Sequence, residues 1–287
     1  MLNMIKMDLY RMFHMKSFYI VWMVLAAGIL FTTYMSRLDV ETFKDMTQEE
    51  RSVSAAEEET VQEGTDQVNF GMDVTLPTRP GDQVTLLDLV YANFRGKFVV
   101  LFFLIFAVLY SSADIGSGYI KNIGGQVRDR SALVLSRAAV LLVYTLLSMI
   151  LYLVIQGICQ RMVFGYFVLG ESGRFWNYVG VQTALHGALV LIAMAIAVIV
   201  KYNVISMTVS ILLTMNMLVI FYSALDKALA KLGLEDFHII EHTVTGKMSL
   251  LSMNAGTKES LLALLTAAVF GIVAAAVSAA VFRQRDI

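Results

Sequence analysis

Val179–Val200 reads VGVQTALHGALVLIAMAIAVIV and, after Lys201-Tyr202-Asn203, Val204–Leu225 reads VISMTVSILLTMNMLVIFYSAL. Neither run contains Asp, Glu, Lys or Arg, and each is close to the ~20 apolar residues that cross a bilayer core as a helix. In hydrocarbon each backbone N–H and C=O must be satisfied within the segment, which selects helix. Three intervening residues leave room only for a tight turn, so the two runs are expected to be antiparallel neighbours.

Four more runs of this kind flank the pair: Phe18–Tyr34, Phe98–Ala113, Ala138–Ile158 and Leu261–Phe282. The second is short and extends back naturally into Phe94–Lys97. The 287-residue chain is 57% hydrophobic and only 16% charged, with a mean hydropathy of +0.68. A soluble domain is nearer a quarter charged. The expected fold is therefore an all-α membrane protein with six transmembrane helices. Its single cysteine, Cys159, rules out an intrachain disulfide framework or a cysteine-based zinc cluster. No small-residue cleavage site follows the first apolar run, so that run does not read as a cleavable signal.

Basic residues near the span ends set the expected orientation. Lys6, Arg11 and Lys16 precede the first span, Lys121, Arg128, Arg130 and Arg137 separate the second and third, and Arg283 and Arg285 follow the sixth. Lys201 lies in the short turn. An even number of spans places all of these on one side, the cytoplasmic side of a multi-pass plasma-membrane protein with both termini inside. Arg161, Arg174, Lys227 and Lys231 fall on the other side, so the bias is moderate.

The resulting segments are a cytoplasmic interfacial helix (1–17), span 1 (18–34), an acidic extracellular segment (35–97), span 2 (98–113), a cytoplasmic connection (114–137), spans 3 to 5 (138–225), an external loop or helix (226–260), and span 6 with its tail (261–287). In the first of these, Leu2, Ile5, Leu9, Met12 and Phe13 repeat at helical spacing while Lys6, Asp8 and Arg11 lie largely off that stripe, as in a helix lying along the membrane surface. A plain basic tail is the alternative. The long insertion holds Asp39, Glu41, Asp45, Glu49, Glu50, Glu57, Glu58, Glu59, Glu63, Asp66, Asp73, Asp82 and Asp88 against Arg37, Lys44, Arg51, Arg79 and Arg95. It reads either as a solvated loop or as a vestibule that steers cationic cargo. Tyr19, Trp22, Trp176 and Tyr178 lie near span ends and read as interfacial anchors.

The connection after span 2 is the most informative polar stretch. It runs Ser112-Ala113-Asp114-Ile115-Gly116-Ser117-Gly118-Tyr119-Ile120-Lys121-Asn122-Ile123-Gly124-Gly125 and on to Arg128, Arg130 and Arg137. Ile120 and Ile123 flanked by Lys121, Arg128 and Arg130 suit docking into a groove of a soluble partner, with apolar anchors for burial and rim charges for orientation. An ordinary positive-inside loop is the alternative. Here the sequence resembles the six-span permease subunits of ABC exporters that work with a separate ATPase chain. Asp114, Gly118, Ile120, Lys121 and Asn122 match that family's motif in order, and Arg130 and Arg137 fit its basic continuation. The Gly124-Gly125 pair departs from it, since a leucine-rich helix is usual there. The resemblance implies a coupling helix made by Asp114, Gly118, Ile120, Lys121, Asn122, Arg128 and Arg130. It also implies cytoplasmic ABC ATPase partners that carry ATP and Mg, a second permease, either another copy in a homodimer or a sister chain, and export of amphipathic or antimicrobial peptides.

The chain itself has no Gly-x-x-x-x-Gly-Lys-[Ser/Thr]; Gly246-Lys247 is followed by Met248 and lacks the upstream glycine. Gly116-x-Gly118 lacks the third glycine and the βαβ context of a dinucleotide site. No catalytic residue and no cofactor are therefore expected in this chain, and nothing points to nucleic acid. His238-Ile239-Ile240-Glu241-His242 matches the inverted zinc-peptidase pattern His-x-x-Glu-His. As a helix it would offer His238 and His242 to one metal with Glu241 as base. Glu259 and Asp286 are the only later carboxylates, and neither has the spacing of a third ligand. A membrane-embedded peptidase and a non-transporting receptor or scaffold are the competing classes. Within the spans the polar residues Gln156, Gln182, His186 and Asn216 are candidates to line a translocation pathway or to bond helices together. No full charge is expected at bilayer depth.

Overall fold

A computed structural model of the chain describes residues 2–45, 74–78, 82–116, 131–215, 217, 219–231 and 238–284. Among them all regular structure is helical. The helices are α1 (Leu2–His14), α2 (Lys16–Asp45), α3 (Leu86–Arg95), α4 (Phe98–Gly116), α5 (Ser131–Phe164), α6 (Ser172–Val200), α7 (Asn203–Thr214), α8 (Val219–Ala230), α9 (Val244–Leu250) and α10 (Thr257–Arg283), with a 3₁₀ turn at Ile239–His242 between α8 and α9. Helices α2, α5, α6 and α10 are each long and apolar enough to cross a membrane, and α3 with α4 passes the same test as a pair bent by 55°. The described helices thus provide four to five candidate spans and point to a membrane protein. The fifth sequence run, Val204–Leu225, is not one continuous helix: α7 has 12 residues and stops at Thr214, and α8 begins at Val219.

Outward faces carry the apolar side chains that hydrocarbon requires. Leu142, Leu146, Ile150, Val154 and Ile158 stand exposed along α5, and Leu261, Leu265, Ile272 and Val273 along α10. A soluble surface rarely presents such continuous apolar stripes. Between helices, where lipid offers no hydrophobic driving force, close packing and polar contacts hold the bundle. Buried Ala263, Ala267, Gly271, Ala274 and Ser278 form a small-residue face on α10, which packs along α6 in the most extensive helix contact of the fold. Asn177 near the start of α6 donates to Ser260 near the start of α10 at 3.0 Å, so the two run parallel. Helix α2 runs parallel to α5, with Trp22 bonded to Ser148 (2.9 Å) and Arg37 to the Val163 carbonyl (2.8 Å). Trp22 and fully buried Tyr178 therefore point into the bundle, while Tyr19 and Trp176 remain outward as expected of anchors.

Two segment boundaries change. Helix α2 continues past Tyr34 to Asp45, so the first part of the predicted acidic insertion is helical. Its last part is α3, packed into the bundle through Leu86, Leu89, Val90 and Phe94. Asp88, counted among the external acids, instead completes a capping box: its carboxylate accepts from the Thr85 amide (2.8 Å), and the Thr85 hydroxyl accepts from the Asp88 amide (3.2 Å). The remainder of the acidic insertion, 46–73 and 79–81, lies outside the described residues.

Candidate functional site

Gly96-Lys97 interrupts the α3–α4 pair, and Lys97 adopts a left-handed backbone with φ of 57°. The bend sits halfway along the apolar stretch of α2. A Cβ at Gly28 would stand 2.5 Å from the Phe98 ring, so any larger residue there would push that ring aside. Lys97 itself is 1% exposed. If α3 and α4 form one bent span, Lys97 is an ionisable residue within it, where the sequence reading placed none. Buried ionisable groups at such positions mark function by default.

Polar and aromatic side chains from four helices collect around α3. Asn93 donates to Gln156 at 3.1 Å and Gln156 donates to Thr33 at 2.9 Å, all three buried. Phe94, one residue along, lies 5.2 Å from Tyr152, 6.2 Å from Tyr178 and 4.9 Å from His186, ring centre to ring centre. Phe103, on the other side of the bend, is 5.6 Å from His186, so that imidazole spans the kink. Gln182 donates to the Tyr178 hydroxyl (3.0 Å) and the Met248 carbonyl (3.1 Å). His186 Nδ1 bonds the Gln182 carbonyl at 2.7 Å, while His186 Nε2 and Gln182 Oε1 are buried without a protein hydrogen bond among the described residues. Of the three described pathway candidates, Gln156 and His186 contact α3 directly, and Gln182 is linked to it through Tyr178. Asn216 lies outside the described residues. Asn93, Phe94 and Lys97 are the additions, and their sequence signal is the apolar run that resumes on both sides of Arg95-Gly96-Lys97.

A second polar cluster ties together the base of the connection between α4 and α5. Ser136 donates to the Asp8 carboxylate at 2.7 Å, and the Tyr110 hydroxyl donates to the Asp8 carbonyl at 3.1 Å. The Arg11 guanidinium lies 5.2 Å above the Tyr110 ring, and Arg137 donates to the Ser111 carbonyl at 3.3 Å. Asp8 is therefore buried, against the expectation that it lies off the packed stripe; Leu2 and Phe13 are the exposed members. Arg137 is also buried and belongs to α5, not to the connection. Asp114 falls in the last turn of α4. Gly118, Ile120, Lys121, Asn122, Arg128 and Arg130 lie outside the described residues.

The His-x-x-Glu-His segment folds as a 3₁₀ turn at Ile239–His242, with His238 extended before it. Three residues per turn place positions i and i+4 about 120° apart, not on one face as an α-helix would. His238 faces Asp226 across 3.8 Å, and Asp226 accepts from the Ile239 amide at 3.0 Å. Among the described residues no three of His, Cys, Asp and Glu gather as metal ligands. In comparisons with known proteins, no family model and no curated protein matches this chain.

Proposed function

We propose that this chain is the membrane-spanning permease subunit of an ATP-driven exporter, with six spans, cytoplasmic termini in the plasma membrane and a long external insertion after the first. In this reading the spans are α2, the bent α3–α4 pair, α5, α6, the broken α7–α8 pair and α10. One observation carries the transport half: a broken span at half height whose bend holds buried Lys97 and gathers Asn93, Gln156, Gln182 and His186. Discontinuous helices with polar groups near the midplane are how helical transporters build cargo sites.

The ATPase half rests on the resemblance at Asp114 and Gly118–Asn122. It is supported by the clamp of Asp8, Ser136, Arg137 and Ser111, which would hand a push on the 114–130 connection to α1, α4 and α5 together. Two copies of the chain would pair, each docking a cytoplasmic ATPase that binds ATP and Mg. Closure of the ATPases would rock the spans as bodies. Cationic or amphipathic peptides are the proposed cargo, attracted by the acidic insertion.

The test is to purify the tagged full chain from its native membranes in mild detergent and measure ATP hydrolysis in the eluate. The wild type should retain an ATPase, and Lys121→Glu with Arg130→Glu should lose it without losing the permease. A wild-type eluate free of ATPase, from membranes that contain Walker-motif ATPases, would overturn the proposal.

A further inference from the structure

The described stretch that leads into α9, residues 238–243, does not stay at the end of the bundle. Along α6, Leu189 stands 13 residues beyond Trp176 and 12 before Lys201; along α10, Phe270 stands 12 beyond Lys258 and 13 before Arg283. At 1.5 Å per residue both positions are about 18–20 Å from either end. One cavity of about 300 Å³ is lined by Leu189 and Phe270 together with Tyr222, Thr243 and Thr245. The same cavity runs on to Ile199 and Val277, so Thr243 borders the halves of α6 and α10 that begin at Leu189 and Phe270, although the sequence placed it in an external loop. The chain before it is folded tightly back: a Cβ on Gly246 would collide with the Ile240 carbonyl, and the Thr243 amide donates to that same carbonyl at 3.2 Å. The 3₁₀ turn is held beside Thr243, and Asp226 is held beside the turn by its bond to the Ile239 amide.

On α10, Ile272 and Val273 are exposed and apolar. Lys227, His238, Glu241 and His242 are also exposed, with Asp226 half-buried. Ionisable side chains at this depth face a protein interior or a water-filled cavity, not lipid, and non-helical backbone is tolerated there on the same condition. We infer that Asp226, Lys227, His238, Glu241 and His242 line a water-filled recess that reaches from the Trp176 end of the bundle to its middle. The inference rests on the membrane reading alone and needs neither the ATPase nor an assigned cargo. If the chain exports, the recess is the outward half of the route, and its mixed charges would solvate polar cargo leaving the bend at Lys97.

The experiment uses the full chain in permeabilised membrane vesicles, with Cys159→Ala as background and single cysteines at Glu241, His238 and Ile272. A charged, membrane-impermeant methanethiosulfonate reagent is applied to both faces, so orientation does not enter. Glu241→Cys and His238→Cys should react at least about tenfold faster than Ile272→Cys, because a thiol in lipid stays protonated and out of the reagent's reach. Two positions give two chances of a folded variant, each checked by its elution profile in detergent. Equally slow reaction at all three sites overturns the recess. Equally fast reaction at Ile272 overturns the assignment of these residues to half height.

Discussion

Replacing Asp8 by alanine tests whether the clamp beneath the 114–130 connection holds α1 to the bundle. Asp8 is 4% exposed and accepts a 2.7 Å hydrogen bond from Ser136, which is itself fully buried. Removing the carboxylate takes away a charge-assisted bond, a loss of about 1.5–3 kcal/mol. At about 1.4 kcal/mol per tenfold, local opening of α1 from α4 and α5 should increase about 10- to 150-fold. Hydrogen exchange of the α1 amides, measured in detergent or lipid discs, reads that ratio directly because opening there is local. Exchange in α6 and α10 should not change, since neither contributes to the cluster. Ser136→Ala should accelerate α1 by a smaller factor, and the double variant should fall short of the summed effects because the residues share one bond. Unchanged α1 exchange in Asp8→Ala, or acceleration spread evenly over the protein, would refute the clamp.

Gly271→Leu should lower the detergent unfolding midpoint, because a Cβ at 271 already meets Leu191 at 3.4 Å and overpacking there costs about 1–3 kcal/mol; Ile272→Ala on the lipid face should leave the midpoint unmoved. Gln156→Leu removes its bonds to the Asn93 amide and the Thr33 hydroxyl, leaving them only their own-helix bonds to the Leu89 and Ile29 carbonyls, so thermal unfolding should show a loss of about 1–3 kcal/mol, with Gln156→Glu intermediate. Chelator treatment of the purified chain should not shift its unfolding midpoint, and metal analysis should find no stoichiometric zinc. A one-to-one zinc lost together with His238→Ala would contradict the 3₁₀ reading of His238–His242.

How much of this was legible in the sequence depended on what interrupted each apolar run. The Lys201-Tyr202-Asn203 turn was legible because a cation and two turn-tolerant residues separate two uncharged runs, and α6 and α7 meet there as expected. Helix α3 was hidden by its own polar residues. Thr85-Leu86-Leu87-Asp88 is a capping box, but Asp88 also completes a row of external acids, and Arg95-Gly96-Lys97 looks like the end of a loop. The burial of Lys97 and the seat of the Phe98 ring against Gly28 are tertiary packing, which local hydropathy does not encode. The break between α7 and α8 carries no glycine or proline, so the uninterrupted run through Val204–Leu225 concealed it. Gln156, Gln182 and His186 stood out as polar residues within apolar runs, whereas Asn93 belonged to a segment assigned outside the spans and Phe94 only to the backward extension of the second. Asp8 was misplaced because a carboxylate on an amphipathic helix is normally solvated, whereas here it accepts from the buried Ser136 hydroxyl.

ATP-driven export by this chain requires a soluble ATPase to dock on the connection after the second span. A photo-crosslinking residue in place of Ile120, activated in native membranes, should form a covalent adduct with a Walker-motif ATPase, reduced by Lys121→Glu and Arg130→Glu. Adducts with lipid alone, in membranes where such an ATPase is present, would contradict it.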